Sequence, residues 1–134
     1  MPIRRMDETL TLRVDHETKL ALDLLSRMKR SSMSQVVLRE VRKLADKELP
    51  KVKVGAAAHS LVSMVADVYV QDQLVKLAVY APDLLTEEEE KIWRVISEDP
   101  AYLPKPGKPN FSAIRKDWKL ILDTVRRYEQ AAEE

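Results

Sequence analysis

Cysteine is absent from the 134 residues, which excludes a disulfide framework, a thiolate metal site and a cysteine nucleophile. The absence accords with a reducing compartment. Histidine occurs only as His16 and His59, and neither has a second ligand at metal spacing. His16 reads as a polar first-turn residue and His59 as a surface position or helix start. Glycine also occurs only twice, leaving no glycine-rich phosphate loop, and no nucleophile–base pair is recognisable. These absences predict a protein without catalytic residues, metal or cofactor. No N-terminal stretch has the apolar core of a signal peptide. No apolar run reaches the roughly 20 residues that cross a bilayer; the longest candidate is interrupted by Asp67, Gln71, Asp72, Gln73 and Lys76. A cytoplasmic, nucleoid-associated protein with no membrane partner is expected.

What is present suits a folded chain of one medium domain or two small ones: 45% of residues are hydrophobic and 34% charged. The net charge of +1 conceals an asymmetry. Residues 1–53 hold 13 Lys/Arg against 8 Asp/Glu, and the remainder 10 against 14. A basic first third joined to an acidic remainder implies two roles, with the basic part the candidate for a polyanion.

Thr9-Leu10-Thr11-Leu12-Arg13-Val14 alternates strictly between polar and apolar. In a strand Leu10, Leu12 and Val14 share one face, and Thr9, Thr11 and Arg13 the other. Asp15 is an N-cap for a helix from His16 to about Met28, whose apolar stripe is Leu20, Leu24 and Met28 with Ala21 and Leu25 beside it. Lys29-Arg30-Ser31 breaks the pattern. Ser32 and Gln35 then have capping-box spacing, and Val37, Val41 and Leu44 continue an apolar face, widened by Val36, Leu38 and Ala45. Pro50 ends the second helix. One strand and two helices bury too little core to stand alone, and a lone strand leaves both edges unpaired. Two copies resolve both deficits by pairing their strands across a twofold axis.

This order of elements, with the Thr9–Val14 alternation and Arg30-Ser31-Ser32-Met33-Ser34-Gln35 opening the second helix, resembles the ribbon-helix-helix superfamily of Arc-like repressors over about residues 9–48. The family commonly carries a Gly-x-Ser-x-Ser-Glu pattern at the second helix. Arg30 stands here in the glycine position, where a non-glycine residue resists a left-handed cap, and Gln35 stands in the glutamate position. The resemblance implies a homodimer that inserts a two-stranded antiparallel ribbon into the major groove of double-stranded DNA. It assigns base contacts to Thr9, Thr11 and Arg13; arginine can donate two bonds to guanine, and threonine can bond bases or touch thymine methyls. Phosphate contacts fall to the helix start at Ser32, Met33 and Ser34. Arg4 and Arg5 would add a backbone-binding arm.

In the acidic remainder, Lys51–Ala58 reads as a linker. A broad apolar segment from about Ala57 to Ala81 reads as a helix carrying Leu61, Met64, Val65, Val68, Tyr69 and Val75 on one face, although Val68-Tyr69-Val70 also suits a strand. After Pro82-Asp83, Thr86 and Glu89 form a second capping box. The four glutamates Glu87–Glu90 read as a capped, solvated helix start rather than a catalytic pair, with Ile92, Trp93 and Ile96 behind them. Pro100, Pro104, Pro106 and Pro109 mark a connector carrying Lys105 and Lys108. Asn110 or Ser112 caps a last helix to about Ala131, with the stripe Ile114, Trp118, Ile121, Leu122, Val125 and Tyr128.

The expected architecture is therefore mainly α with one N-terminal β-strand: a ribbon-helix-helix dimer over residues 1–50, followed by a helical C-terminal region over 56–134. The expected function is sequence-specific transcriptional regulation, as a repressor, with the C-terminal helices supporting higher oligomers or receiving a signal. Two alternatives share the resemblance. One is an antitoxin whose C-terminal region binds a toxin, a role in which such segments are usually short and disordered when free. The other is an accessory protein of plasmid or phage DNA partition or relaxosome assembly.

Overall fold

The computed structural model describes residues 8–133. Among them the chain is mainly helical, with one small two-stranded antiparallel sheet. It divides into two compact units, the first ending at Leu49 and the second beginning at Pro50. No helix among the described residues is long and apolar enough to cross a membrane.

The first unit contains two helices, α1 (His16–Lys29) and α2 (Met33–Glu48), packed on each other. Asp15 caps α1 by accepting the Thr18 amide at 3.3 Å. Hydrogen bonding from Thr18 holds the Asp15 carboxyl below the ordinary aspartate range. Ser32 and Gln35 complete the capping box of α2 in both directions, each bond at 3.1 Å. Between the helices Arg30 takes the left-handed conformation, at φ 49° and ψ 44°. The Ser31 amide reaches back to the Ser26 carbonyl at 3.0 Å and the Arg30 amide to Arg27 at 3.3 Å, a Schellman-type closure. The left-handed turn that Arg30 was expected to resist is therefore present. The two bonds, which satisfy otherwise orphaned helix-end carbonyls, offset the Cβ penalty. Residues 8–15 form neither a helix nor a ladder among the described residues. The strand expected over Thr9–Val14 has no partner in a single chain, and a strand exists only by pairing.

The second unit opens with a hairpin, β1 (Lys51–Val54) and β2 (Ala57–Ser60). The expected linker is thus a strand–turn–strand. Its register pairs Lys51 with Ser60, Val52 with His59, Lys53 with Ala58 and Val54 with Ala57. Gly55, at φ +64°, and Ala56 make the two-residue turn. A glycine at the first central position is the requirement of a type II′ hairpin.

The single helix expected from about Ala57 to Ala81 is also corrected. It is replaced by β2, a short α3 (Leu61–Val65) capped by Ser60, and α4 (Val70–Tyr80). Asp67 separates the two helices: its carboxylate accepts the Tyr69 amide at 3.1 Å and pairs with Lys76 at 2.6 Å. These bonds, that from Lys76 foremost, lower the Asp67 pKa. A local side-chain turn here displaces the helix.

The helix α5 (Glu87–Ser97) starts at the Thr86–Glu89 capping box. Asn110 caps α6 (Phe111–Lys116), and a break at Asp117 separates it from α7 (Trp118–Glu133). The continuous last helix expected from the sequence is thus two. Val75, Ile96, Tyr102, Ile114 and Ile121 form the core of the unit, with Trp93, Phe111 and Trp118 packed against it. Tyr102 locks the proline-rich connector to this core. Its hydroxyl donates to Asp117 at 2.9 Å, and its carbonyl accepts the Asn110 amide at 2.8 Å. Burial, then the Asp117 bond, raises the Tyr102 phenol to about 12.

Candidate nucleic-acid interface

Thr9, Thr11 and Arg13 lie on the described part of the N-terminal segment, and all three are exposed. So are the residues between them: Leu10 is 82% exposed and Leu12 64%. Both faces of the segment are therefore open to solvent in a single chain. Arg13 makes no ion pair among the described residues, so its five donors remain available to an acceptor.

The second group of expected residues lies at the start of α2. Ser32 spends its hydroxyl on the Gln35 amide, and its own amide is taken by the Gln35 side chain. The capping box thereby leaves the Met33 and Ser34 amides as the unpaired donors of this helix start. Neither has a partner among the described residues. Ser34 is exposed and Met33 half-buried. A helix start with two free amides and no acidic residue in its first turn is suited to a phosphate oxygen. No bond brings Thr9, Thr11 or Arg13 together with Ser32–Ser34 among the described residues. Arg4 and Arg5 lie outside the described residues.

The same unit carries an apolar surface that is exposed among the described residues. The α1 helix buries none of its residues, and α2 buries only Val36. Leu20, Leu24, Leu25, Met28, Leu38, Val41 and Leu44 are exposed, Met28 at 80%. These include most of the large apolar positions in the amphipathic stripes of the sequence; on α2, Val36 is buried and Val37 partly buried.

Two features of the second unit were not anticipated. Lys51 and Lys53 project from one face of the β1–β2 hairpin, where the alternation Lys-Val-Lys-Val followed by glycine was the available signal. Asp72, 5% exposed on α4, pairs with Arg115 of α6, and the Arg115 guanidinium also sits 4.6 Å from the centre of the Tyr69 ring. The second Asp72 oxygen, Oδ1, is buried without a partner among the described residues. The pair joins residues 43 positions apart, and no local pattern announces it. His16 begins α1 and His59 lies on β2, both exposed.

In comparison with known proteins, the chain matches no family model, no curated protein and no solved structure.

Proposed function

We propose that the chain is a dimeric ribbon-helix-helix DNA-binding regulator, repressing transcription by occupying an operator. The observation that carries this reading is the first unit's missing half-core. Alternate residues of the N-terminal segment and the inner stripes of both helices are apolar and exposed, while only Val36 is buried on the helices. Fully burying one such side chain contributes about 1.5–3 kcal/mol. A second copy covers all of these positions at once by strand pairing and four-helix packing. That arrangement turns Leu10, Leu12 and Val14 inward and presents Thr9, Thr11 and Arg13 outward as a ribbon. The left-handed turn at Arg30 and the capping box at Ser32 supply the helix–turn–helix connection that the reading requires. The free Met33 and Ser34 amides provide a phosphate clamp on each side of the ribbon.

The test is fluorescence-anisotropy titration of the full chain with a duplex from upstream of its own gene, against an unrelated duplex. Arg13→Ala is expected to remove about 1–3 kcal/mol of discrimination between the two while leaving non-specific binding in place. Equal binding of both duplexes by the wild type, unaltered by Arg13→Ala, would overturn ribbon readout.

A further inference from the structure

We infer that the β1–β2 hairpin is a second DNA contact, holding the phosphate backbone through Lys51 and Lys53. The inference rests on the DNA-binding reading above and extends it to a surface of the second unit.

Alternation along β1 and the cross-strand register define the hairpin's two faces. Lys51 and Lys53 share one face with Ser60 and Ala58, and Val52 and Val54 share the other with His59 and Ala57. Val52 is buried, and α3 packs against both strands. The lysine face is therefore the outer one, and both lysines are exposed on it. No Asp or Glu occurs from Leu49 to Ala66, and neither lysine pairs with a carboxylate of the second unit among the described residues. This local positive surface stands in a region that is otherwise acidic: from Val54 onward there are 10 Lys/Arg against 14 Asp/Glu.

Charged side chains on an open hairpin also guard against edge-to-edge pairing, so charge alone does not decide its role. The neighbours of the lysines favour a polyanion. Opposite them stand Ala58 and Ser60, and the tip is Gly55, Ala56 and Ala57. A surface this slim lets a polyanion approach the ammonium groups without a bulky side chain intervening. Two residues along a strand span about 6.8 Å, and duplex DNA carries one charge per roughly 1.7 Å of its axis. Both lysines can thus be neutralised by one duplex. They would meet phosphate rather than bases, because a lysine is a point charge without the planar fork that reads a base edge. Leu49 and Pro50 alone separate α2 from β1, so the chain tethers the hairpin to any duplex that the first unit holds.

The test is a salt series on the full chain, comparing wild type with a Lys51→Ala/Lys53→Ala variant on the upstream duplex and on an unrelated duplex of equal length. The variant is expected to bind both duplexes more weakly by the same factor, at least about tenfold near 100 mM salt. The slope of log affinity against log salt should become shallower by about 0.9 for each phosphate that the variant no longer neutralises. Lys51→Arg/Lys53→Arg should restore both, and matching urea midpoints would show that the hairpin remains folded. A wild type that binds DNA alongside a double-alanine variant with unchanged slope and affinity would overturn the hairpin's role and leave the ribbon reading intact. A wild type that binds no duplex at low salt would overturn both. Weakened binding of the variant to anionic phospholipid vesicles, with DNA binding unchanged, would assign the lysines to a lipid surface and overturn the inference.

Discussion

Arg30 occupies a backbone conformation that glycine adopts freely and L-residues adopt at a cost of roughly 1–2 kcal/mol. At φ 49° it closes α1 with two backbone bonds, and its side chain is exposed. Arg30→Gly should therefore relieve the Cβ strain at the cost of some unfolded-state entropy, a net gain of about 1 kcal/mol. The gain should show as a higher urea midpoint with unchanged slope at fixed protein concentration; a lower midpoint would mean that the arginine makes an interaction worth more than the strain. Tyr102 gives a second prediction at this scale. Its phenol is raised to about 12, so the folded state holds the proton more tightly than the unfolded state does. The resulting stabilisation is fully present below the unfolded value of 10.0 and is lost as the pH rises from there through about 12. Wild type should lose urea resistance across that window relative to Tyr102→Phe, whose midpoint should show no such loss from this position.

At the scale of elements, the Asp72–Arg115 pair ties α4 to α6. Asp72 is buried, with one oxygen unpartnered among the described residues, so removing Arg115 strands a carboxylate. Arg115→Ala is expected to cost about 3 kcal/mol, at the lower end for breaking a buried pair because the guanidinium is partly exposed. Asp72→Asn together with Arg115→Met should recover part of that loss in the same denaturation assay. Elements that depend on neighbours in sequence were legible without a structure. Asp15, Ser32 with Gln35, and Thr86 with Glu89 cap the helices that their spacing announces, and Asn110, one of two candidates, caps the first part of the expected last helix. The β1–β2 hairpin was hidden because its second strand begins Ala57-Ala58, which carries no strand preference; the pairing is specified by the Gly55 turn instead. The helix expected through Val68-Tyr69-Val70 failed because the Asp67 side chain outcompetes it locally. For the candidate interface, the alternation at Thr9, Thr11 and Arg13 and the cap at Ser32 were legible in the sequence, and contacts with DNA were assigned to these residues and to Met33 and Ser34 by the family resemblance alone. The lysine face of the hairpin was not legible, since which face turns outward depends on the packing of α3 against the two strands.

The two units differ in how they can be stable, and that difference belongs to the whole molecule. The second unit has its own core around Ile96, Ile114 and Ile121. The first leaves its apolar stripes exposed and, on the proposed reading, gains a core only by association. Mass action then makes the first unit's stability concentration-dependent and leaves the second unit's unaffected. Both tryptophans, Trp93 and Trp118, lie in the second unit, so intrinsic fluorescence follows that unit alone while far-ultraviolet circular dichroism follows both. On dilution, the dichroism transition should fall by roughly 5–10 °C per tenfold change in concentration, since a factor of ten is worth about 1.4 kcal/mol. The fluorescence transition should stay in place. Leu24→Lys puts a charge on the exposed stripe of α1 and should yield a monomer in sedimentation, abolish the concentration-dependent phase and remove DNA binding. It should leave the tryptophan transition unchanged. Coincident transitions that ignore concentration would mean that the first unit is sealed within a single chain, and the ribbon dimer would be lost with them.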